Sequence, residues 1–102
     1  MDRFAETFER IMGCRAAELL NWLPRALPGA NLAIESDAEA GRCRATFEDG
    51  LLLIEWRALE PAQIALLKIP RLAIRFNYSG LGEARRQEVQ GHFDRATQRG
   101  GG

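Results

Sequence analysis

The sequence predicts an α+β fold, a single two-layer domain in which a four-stranded antiparallel sheet is packed by an N-terminal and a C-terminal helix. Three observations predict it. Apolar residues recur every three or four positions near both ends of the chain, as on amphipathic helices. In the middle they alternate with polar residues, as in half-buried strands, and an Asp-Gly dipeptide separates two such runs. The predicted order over residues 1–99 is helix, three strands, a short segment that could be helix or strand, a fourth strand and a helix. A flexible glycine tail follows at 100–102.

Length and composition limit the possible classes of protein. With 102 residues, of which 46% are hydrophobic, the chain can bury one core but not two. The densest apolar runs, Leu51–Ile54 and Ile64–Ile69, are far shorter than the roughly 18 apolar residues of a membrane span. The first residues have neither the basic nor the apolar region of a secretory signal. We therefore expect a cytoplasmic protein without a membrane partner.

The first helix is predicted from an apolar stripe near the start of the chain. Its members, spaced by three, four or one residue, are Phe4, Phe8, Ile11, Met12, Ala16, Leu19, Leu20, Leu23 and Leu27. Asp2 is a suitable N-cap, and Pro24 disfavours helix at the residue before it. These signals predict one helix of about 20 residues, bent at Gly13 because glycine weakens helices, and closed by the turn Pro24–Gly29.

A hairpin is predicted at the Asp49-Gly50 dipeptide. This dipeptide favours a two-residue type I′ turn, because both positions of that turn need positive φ. Such a turn places Phe47 opposite Leu52 and gathers the apolar residues of both strands on one face. The residues of this predicted core face are Cys43, Ala45, Phe47, Leu52, Ile54 and Trp56. Leu51 and Leu53 then lie on the outer face, where we expect another surface to cover them.

The remaining elements follow from shorter patterns. Asn31–Ser36 alternates and predicts a strand that precedes the hairpin. After the hairpin, a proline suited to the first position of a helix introduces Ala62–Lys68, which could form two helical turns; a strand through Ile64–Ile69 is the alternative, and periodicity leaves both open. Arg71–Tyr78 alternates strictly and predicts a half-buried strand. Glu83–Arg99 has a thin apolar stripe and predicts the second helix.

The charges balance overall but not along the chain. Fourteen basic residues match fourteen acidic ones, so we expect no nucleic-acid partner. Residues 1–60 carry eleven acids and seven bases, whereas residues 61–102 carry three acids and seven bases, and halves of opposite sign could serve self-association. Cys14 and Cys43 lie far apart without a metal-binding motif, which favours two buried, reduced thiols.

Few residues could carry catalysis or bind a metal. Glu88 and His92 share a helix face, where the carboxylate could orient a general base, but no nucleophile can be assigned and a surface histidine is the simpler interpretation. Glu35, Asp37 and Glu39 form an acidic loop that lacks the pattern of a calcium-binding loop. The sequence therefore favours a non-catalytic protein and predicts no metal or cofactor.

One segment resembles a nucleotide-binding family. Arg71 and Arg75 form an R-x-x-x-R pattern, followed by N-x-S-x-x-G at Asn77, Ser79 and Gly82. These are similar to the two patterns of PilZ domains, and the resemblance implies binding of a cyclic dinucleotide through arginines on phosphate and guanine. In that family the arginine pair lies well before the second pattern, on an arm, whereas the two are almost adjacent here.

The final glycines carry a second resemblance. Gly100–Gly102 is similar to the diglycine end of ubiquitin-like sulfur carriers, which implies an adenylated terminal carboxylate. The predicted helix runs almost into these glycines, so we expect a flexible tail instead.

Two hypotheses about function follow from the sequence. The first is a small cytoplasmic accessory or protein-interaction domain that forms a homodimer, through the outer sheet face or the first helix, or binds another protein. Its candidate interface residues are Trp22, Leu51 and Leu53, which exceed what one core needs. The alternative is a small-molecule or nucleotide-binding domain that uses Arg71, Arg75 and the turn Asn77–Gly82.

Overall fold

The computed structural model describes residues 6–98, which form a five-stranded antiparallel sheet with two helices on one face. The elements in chain order are β1 (Thr7–Met12), α1 (Ala16–Ala26), β2 (Asn31–Ser36), β3 (Ala40–Phe47), β4 (Gly50–Ile64), β5 (Leu67–Ser79) and α2 (Glu83–Thr97). In space the strands lie in the order β1-β5-β4-β3-β2, so the first strand pairs with the last. The α+β class and the antiparallel sheet are confirmed, whereas the predicted four strands and the predicted element order are wrong.

The N-terminal segment is a strand followed by a helix, and the prediction of one long helix is wrong. Phe8 and Met12 are four residues apart, a spacing that fits one face of a strand as well as the stripe of a helix. Pairing with β5 decides between them, since Phe8 lies opposite Phe76 and Met12 opposite Leu72. The predicted N-cap and Phe4 lie outside the described residues.

Helix α1 begins later and ends later than predicted. The backbone N–H of its N-cap residue Arg15 donates to Oε1 of Glu18 at 3.0 Å. The helix continues to Ala26 with an exposed Pro24 in its last turn. Proline there removes a single helical hydrogen bond, and the burial of Leu23 and Ala26 against the core outweighs that loss.

The β3–β4 hairpin has the predicted faces but not the predicted pairing. Phe47 lies opposite Gly50, so the loop is Glu48 and Asp49 and every pair is shifted by two residues. A shift by an even number preserves the faces, and all six predicted core residues are buried. Gly50 does not supply positive φ. It is needed because a Cβ there would lie 2.5 Å from the carbonyl oxygen of Ser79.

The segment left open by the sequence is strand on both sides of a tight turn. β4 runs to Ile64 and β5 begins at Leu67, with Ala65 at φ 54° in the turn and a bulge after Leu59. Ala40, the first residue of β3, pairs with Arg57, and Met12, the last residue of β1, pairs with Leu72, so among the described residues no further strand pairs with residues 59–71. Residues 59–71 form a two-stranded hairpin, which we call the hairpin arm. It projects roughly 20 Å beyond the ends of β1 and β3, at about 3.3 Å per residue.

The core lies between the sheet and the two helices. Phe76 is fully buried at its centre, stacked on Phe8 at 4.8 Å between ring centroids and edge-on to Phe93 of α2 at 5.1 Å. Cys14 and Cys43 are buried and do not form a disulfide, as predicted, and burial raises the pKa of Cys43 to about 11. The predicted second helix ends at Thr97, close to the predicted boundary, and the glycine tail lies outside the described residues.

Candidate functional site: the outer face of the sheet

The sheet has one face covered by helices and one face that the described residues leave open. We call the second the outer face. An open groove of about 680 Å³ runs over it. Its charged lining residues are Glu9, Glu35, Asp37, Arg42, Glu55, Arg57 and Arg75. A groove of this size is within the range of ligand and partner sites, and its charge is mixed rather than of one sign.

A row of alternating charge crosses the outer face from edge to edge. The strand register places five residues side by side in the order Glu35, Arg42, Glu55, Arg75 and Glu9, on β2, β3, β4, β5 and β1. The end pairs are loose, with Nε of Arg42 3.9 Å from Oε1 of Glu35 and Nε of Arg75 3.9 Å from Oε2 of Glu9. Exposed ion pairs of this kind add only about 0–1 kcal/mol each to the stability of the fold. Because the pairs are weak, these arginine and glutamate side chains can turn to pair with a binding partner instead.

Apolar residues lie on both sides of this row. Leu51 and Leu53 are on the outer face, as predicted, and each is only half-buried. On β1, Ile11 lies opposite Ala73 on the same face and is 59% exposed. Trp22 lies elsewhere: it packs against the core on the helical side of the sheet, so the three predicted interface residues do not form one surface.

The hairpin arm extends the outer face with an apolar surface. Ala62 pairs with Ile69 and Ile64 with Leu67, all on the same side of the ladder as the outer face. Ile64 and Leu67 are 60% and 66% exposed, and Leu66 at the tip is 97% exposed. The opposite side of the arm carries a polar pair, Gln63 and Lys68. The sequence showed this apolar run but not that it projects into solvent.

The residues of the nucleotide-binding hypothesis lie along β5 on the outer face. Nε of Arg71 donates to the carbonyl oxygen of Glu60 at 3.0 Å, and Oδ1 of Asn77 accepts from the hydroxyl of Thr7 at 3.3 Å. Arg71 and Arg75 are four residues apart in a strand, about 13 Å, so they do not converge on one phosphate. Ser79 follows at the far end of the strand, beyond the groove.

The proposed catalytic pair does not form. Arg85 donates to Oε1 of Glu88 and to Oδ2 of Asp49, the latter at 2.9 Å, so the Glu88 carboxylate pairs with Arg85 and makes no hydrogen bond to His92. The exposed His92 has Nδ1 3.4 Å from a guanidinium nitrogen of Arg95. The recess beside it measures about 90 Å³, too small for most substrates.

The acidic loop is organised by one of its own carboxylates. Oδ1 of Asp37 accepts from the backbone N–H groups of Glu39 at 2.8 Å and Ala40 at 2.9 Å, which lowers the pKa of Asp37. Residues 6–98 contain no group of three or more histidine, cysteine or acidic side chains placed to hold a metal ion.

A polar network on the helical side was not visible in the sequence. The hydroxyl of Tyr78 donates to Oε1 of Gln90 at 2.7 Å, whose amide donates to Oδ1 of Asp94 at 3.0 Å. Arg10 of β1 donates to the same oxygen at 2.8 Å. The network connects β1 and β5 to α2. It could not be predicted because Arg10 was assigned to a helix and not to a strand beside β5.

Comparisons with known proteins add no assignment. The sequence matches no protein-family model and no curated protein. Within residues 6–98, neither helix is long and apolar enough to cross a membrane. Function is therefore inferred from the surfaces described above.

Proposed function

We propose that this chain is a non-catalytic accessory domain that acts by binding protein through the outer face of its sheet, and that it self-associates through that face. The observation that carries the proposal is the hairpin arm, whose exposed apolar side continues the open sheet face. Contiguous exposed apolar surface is uncommon on monomeric proteins and marks interaction sites. An isolated two-stranded hairpin is also marginal in water, so contact with a partner would stabilise the arm.

The two buried cysteines, which form no disulfide, support a reducing, cytoplasmic setting for this domain. The net charges of residues 1–60 and 61–102 are opposite in sign, which is compatible with self-association.

The test is the mass of the full chain in solution, measured by sedimentation from low to high micromolar concentration. We expect reversible association, and we expect the double substitution Ile64→Ser and Leu67→Ser to weaken it. The matched control is Gln63→Ser with Lys68→Ser, an adjacent pair on the polar side of the same arm, which should leave association unchanged. A strictly monomeric wild-type chain at high micromolar concentration would overturn the proposal.

A nucleotide-binding domain is the second candidate, favoured by the three arginines that line the groove. The four carboxylates beside them oppose it, because they give the groove a net negative charge. Calorimetry with cyclic dinucleotides and common nucleotides tests it on wild type and on Arg75→Ala. Heat that disappears in the variant would support this candidate, and no heat with any nucleotide would remove it.

A further inference from the structure

We infer that two copies of this chain pack their outer faces together around a two-fold axis that runs parallel to the strands, between β4 and β5. This inference rests on the proposed self-association and specifies its geometry. Rotation about such an axis places β4 of one copy over β5 of the other and β3 over β1. The β2 strands fall outside the overlap.

The charge row is complementary to itself under this rotation. Glu55 of each copy faces Arg75 of the other, and Arg42 of each faces Glu9 of the other. Four oppositely charged contacts therefore form per dimer, and no charge in the overlap faces one of its own sign. Glu35, on β2, faces no strand of the second copy. Complementary charge of this kind selects the partner and sets the register of an interface.

The neighbouring rows agree with the same axis. In these rows no charged residue of one copy faces a residue of the same charge on the other. Ile11, which is exposed in the single chain, is covered by the second copy. The facing pairs, read from the strand register, are Leu51 with Ser79, Leu53 with Asn77, Arg57 with Ala73, Leu59 with Arg71, Arg44 with Thr7 and Ala40 with Ile11.

The hairpin arm selects this axis over the alternative that the charges also permit. An axis between β3 and β4 would pair Arg42 with Glu55 and Glu35 with Arg75, but it would set the two arms side by side with their apolar surfaces in solvent. The axis between β4 and β5 passes through the middle of the arm. It lays Ile64 of each copy over Leu67 of the other and removes both from water.

The dimensions suit this arrangement. Packed sheets lie about 10 Å apart, a gap that arginine and glutamate side chains can bridge from opposite sides. Four overlapping strands and the arm give a footprint on the order of 700 Å² per copy, from strand spacings of about 4.8 Å and rises of about 3.3 Å. Stable interfaces bury about 800 Å² per partner.

The test exchanges charges between copies. In Glu55→Arg, two arginines face two arginines in every dimer, and in Arg75→Glu two glutamates face two glutamates. We expect each variant alone to associate at least about tenfold more weakly than wild type. An equimolar mixture should recover association, because each arginine of the first variant then faces a glutamate of the second. Only contact between copies produces this rescue.

Two further variants locate the axis. Glu9→Arg should weaken association, whereas Glu35→Arg, the same change in the same row, should not. The reverse result would place the axis between β3 and β4 and overturn the inference. Thermal unfolding of each variant at low micromolar concentration checks that the monomer still folds.

The outcomes separate this inference from the proposed function. If wild type associates and the mixture shows no recovery, the chain self-associates by another surface and only the inference fails. If wild type remains monomeric, both fail.

Discussion

The two faces of β4 and β5 differ in burial: alternate residues of the same strands lie in the core on one face and are partly or fully exposed on the other. On the helical side, Leu52, Ile54 and Phe76 are fully buried. On the outer side, Leu53 is half-buried and Arg75 is exposed, although both lie in the same strands. Because successive side chains point to opposite faces, a strand can place one half of its residues in the core and present the other half to a partner. Outer-face substitutions should therefore affect association, while inner-face substitutions affect folding.

The sharpest test of this comparison uses two adjacent leucines of β4. Leu52→Ala removes a fully buried side chain and should lower the free energy of unfolding by about 2–5 kcal/mol. Leu53→Ala, on the outer face, should lower it by less than about 1 kcal/mol, because part of that side chain is already in water. Urea unfolding at low micromolar concentration measures both, since self-association would otherwise add to apparent stability. Similar losses for the two variants would contradict the division between faces.

How far the sequence could predict this fold depends on which patterns admit a second interpretation. The alternation around residues 43–56 admits one assignment of faces, and those faces are correct even though the pairing is shifted by two residues. Phe8 and Met12 fit two periodicities, and only the distant edge of β5 selects the strand. The apolar run before Arg71 was also ambiguous, but for another reason: a run this short shows neither the period of a helix nor that of a strand.

The candidate site was less accessible to sequence analysis than the fold. That Arg71 and Arg75 share a face of one strand follows from alternation alone. The charge row needs the pairing of all five strands, since Glu9 and Arg75 become neighbours only when β1 is added to the sheet. The exposure of the hairpin arm also depends on the other strands, because the arm is exposed only where β1 and β3 do not extend beside it.

The close approach at Gly50 provides a second, smaller test on the covered side. Gly50→Ala would place a methyl group against the carbonyl oxygen of Ser79 and the side chain of Leu81, and overpacking of this kind costs about 1–3 kcal/mol. Gly13→Ala is the matched control, because a Cβ there would meet Ile69 and Pro70 only at 3.9 Å, an ordinary van der Waals distance. If the two substitutions cost the same, the close approach does not explain the glycine.

The polar network beneath the sheet should contribute about as much as one buried hydrogen bond. Tyr78→Phe leaves Oε1 of Gln90 without its donor and should cost about 1–2 kcal/mol in unfolding free energy. Ser79→Ala, the next residue on the opposite face, is its control. A cost for Tyr78→Phe no larger than that of Ser79→Ala would mean that the network is not stabilising.

Tyr78 also gives the covered face a signal at high pH. Burial, and next the nearby carboxylate of Asp94, raise the pKa of its hydroxyl well above the ordinary value. A raised folded pKa means that this stability is complete below the unfolded pKa near 10 and is lost as pH rises above it. Tyr78 is the single tyrosine of the chain, so tyrosinate absorbance reports it alone. We expect that absorbance to rise together with alkaline unfolding; ionisation near pH 10 in the folded protein would show that the hydroxyl is open to water.

The smallest effect is expected at the edge of the outer face, in the loop between β2 and β3, where Asp37 lines one end of the groove. Two backbone N–H groups lower the pKa of Asp37, so its carboxylate stabilises the fold above its unfolded pKa of about 3.9 and loses that effect as pH falls through the lower folded value. Asp37→Asn should therefore reduce stability slightly near neutral pH and converge with wild type in strong acid. Glu39→Gln is the control, since its side chain accepts neither of these two bonds. A constant difference between Asp37→Asn and wild type across the acid range would show that loop geometry, and not the ionised carboxylate, is what the substitution disturbs.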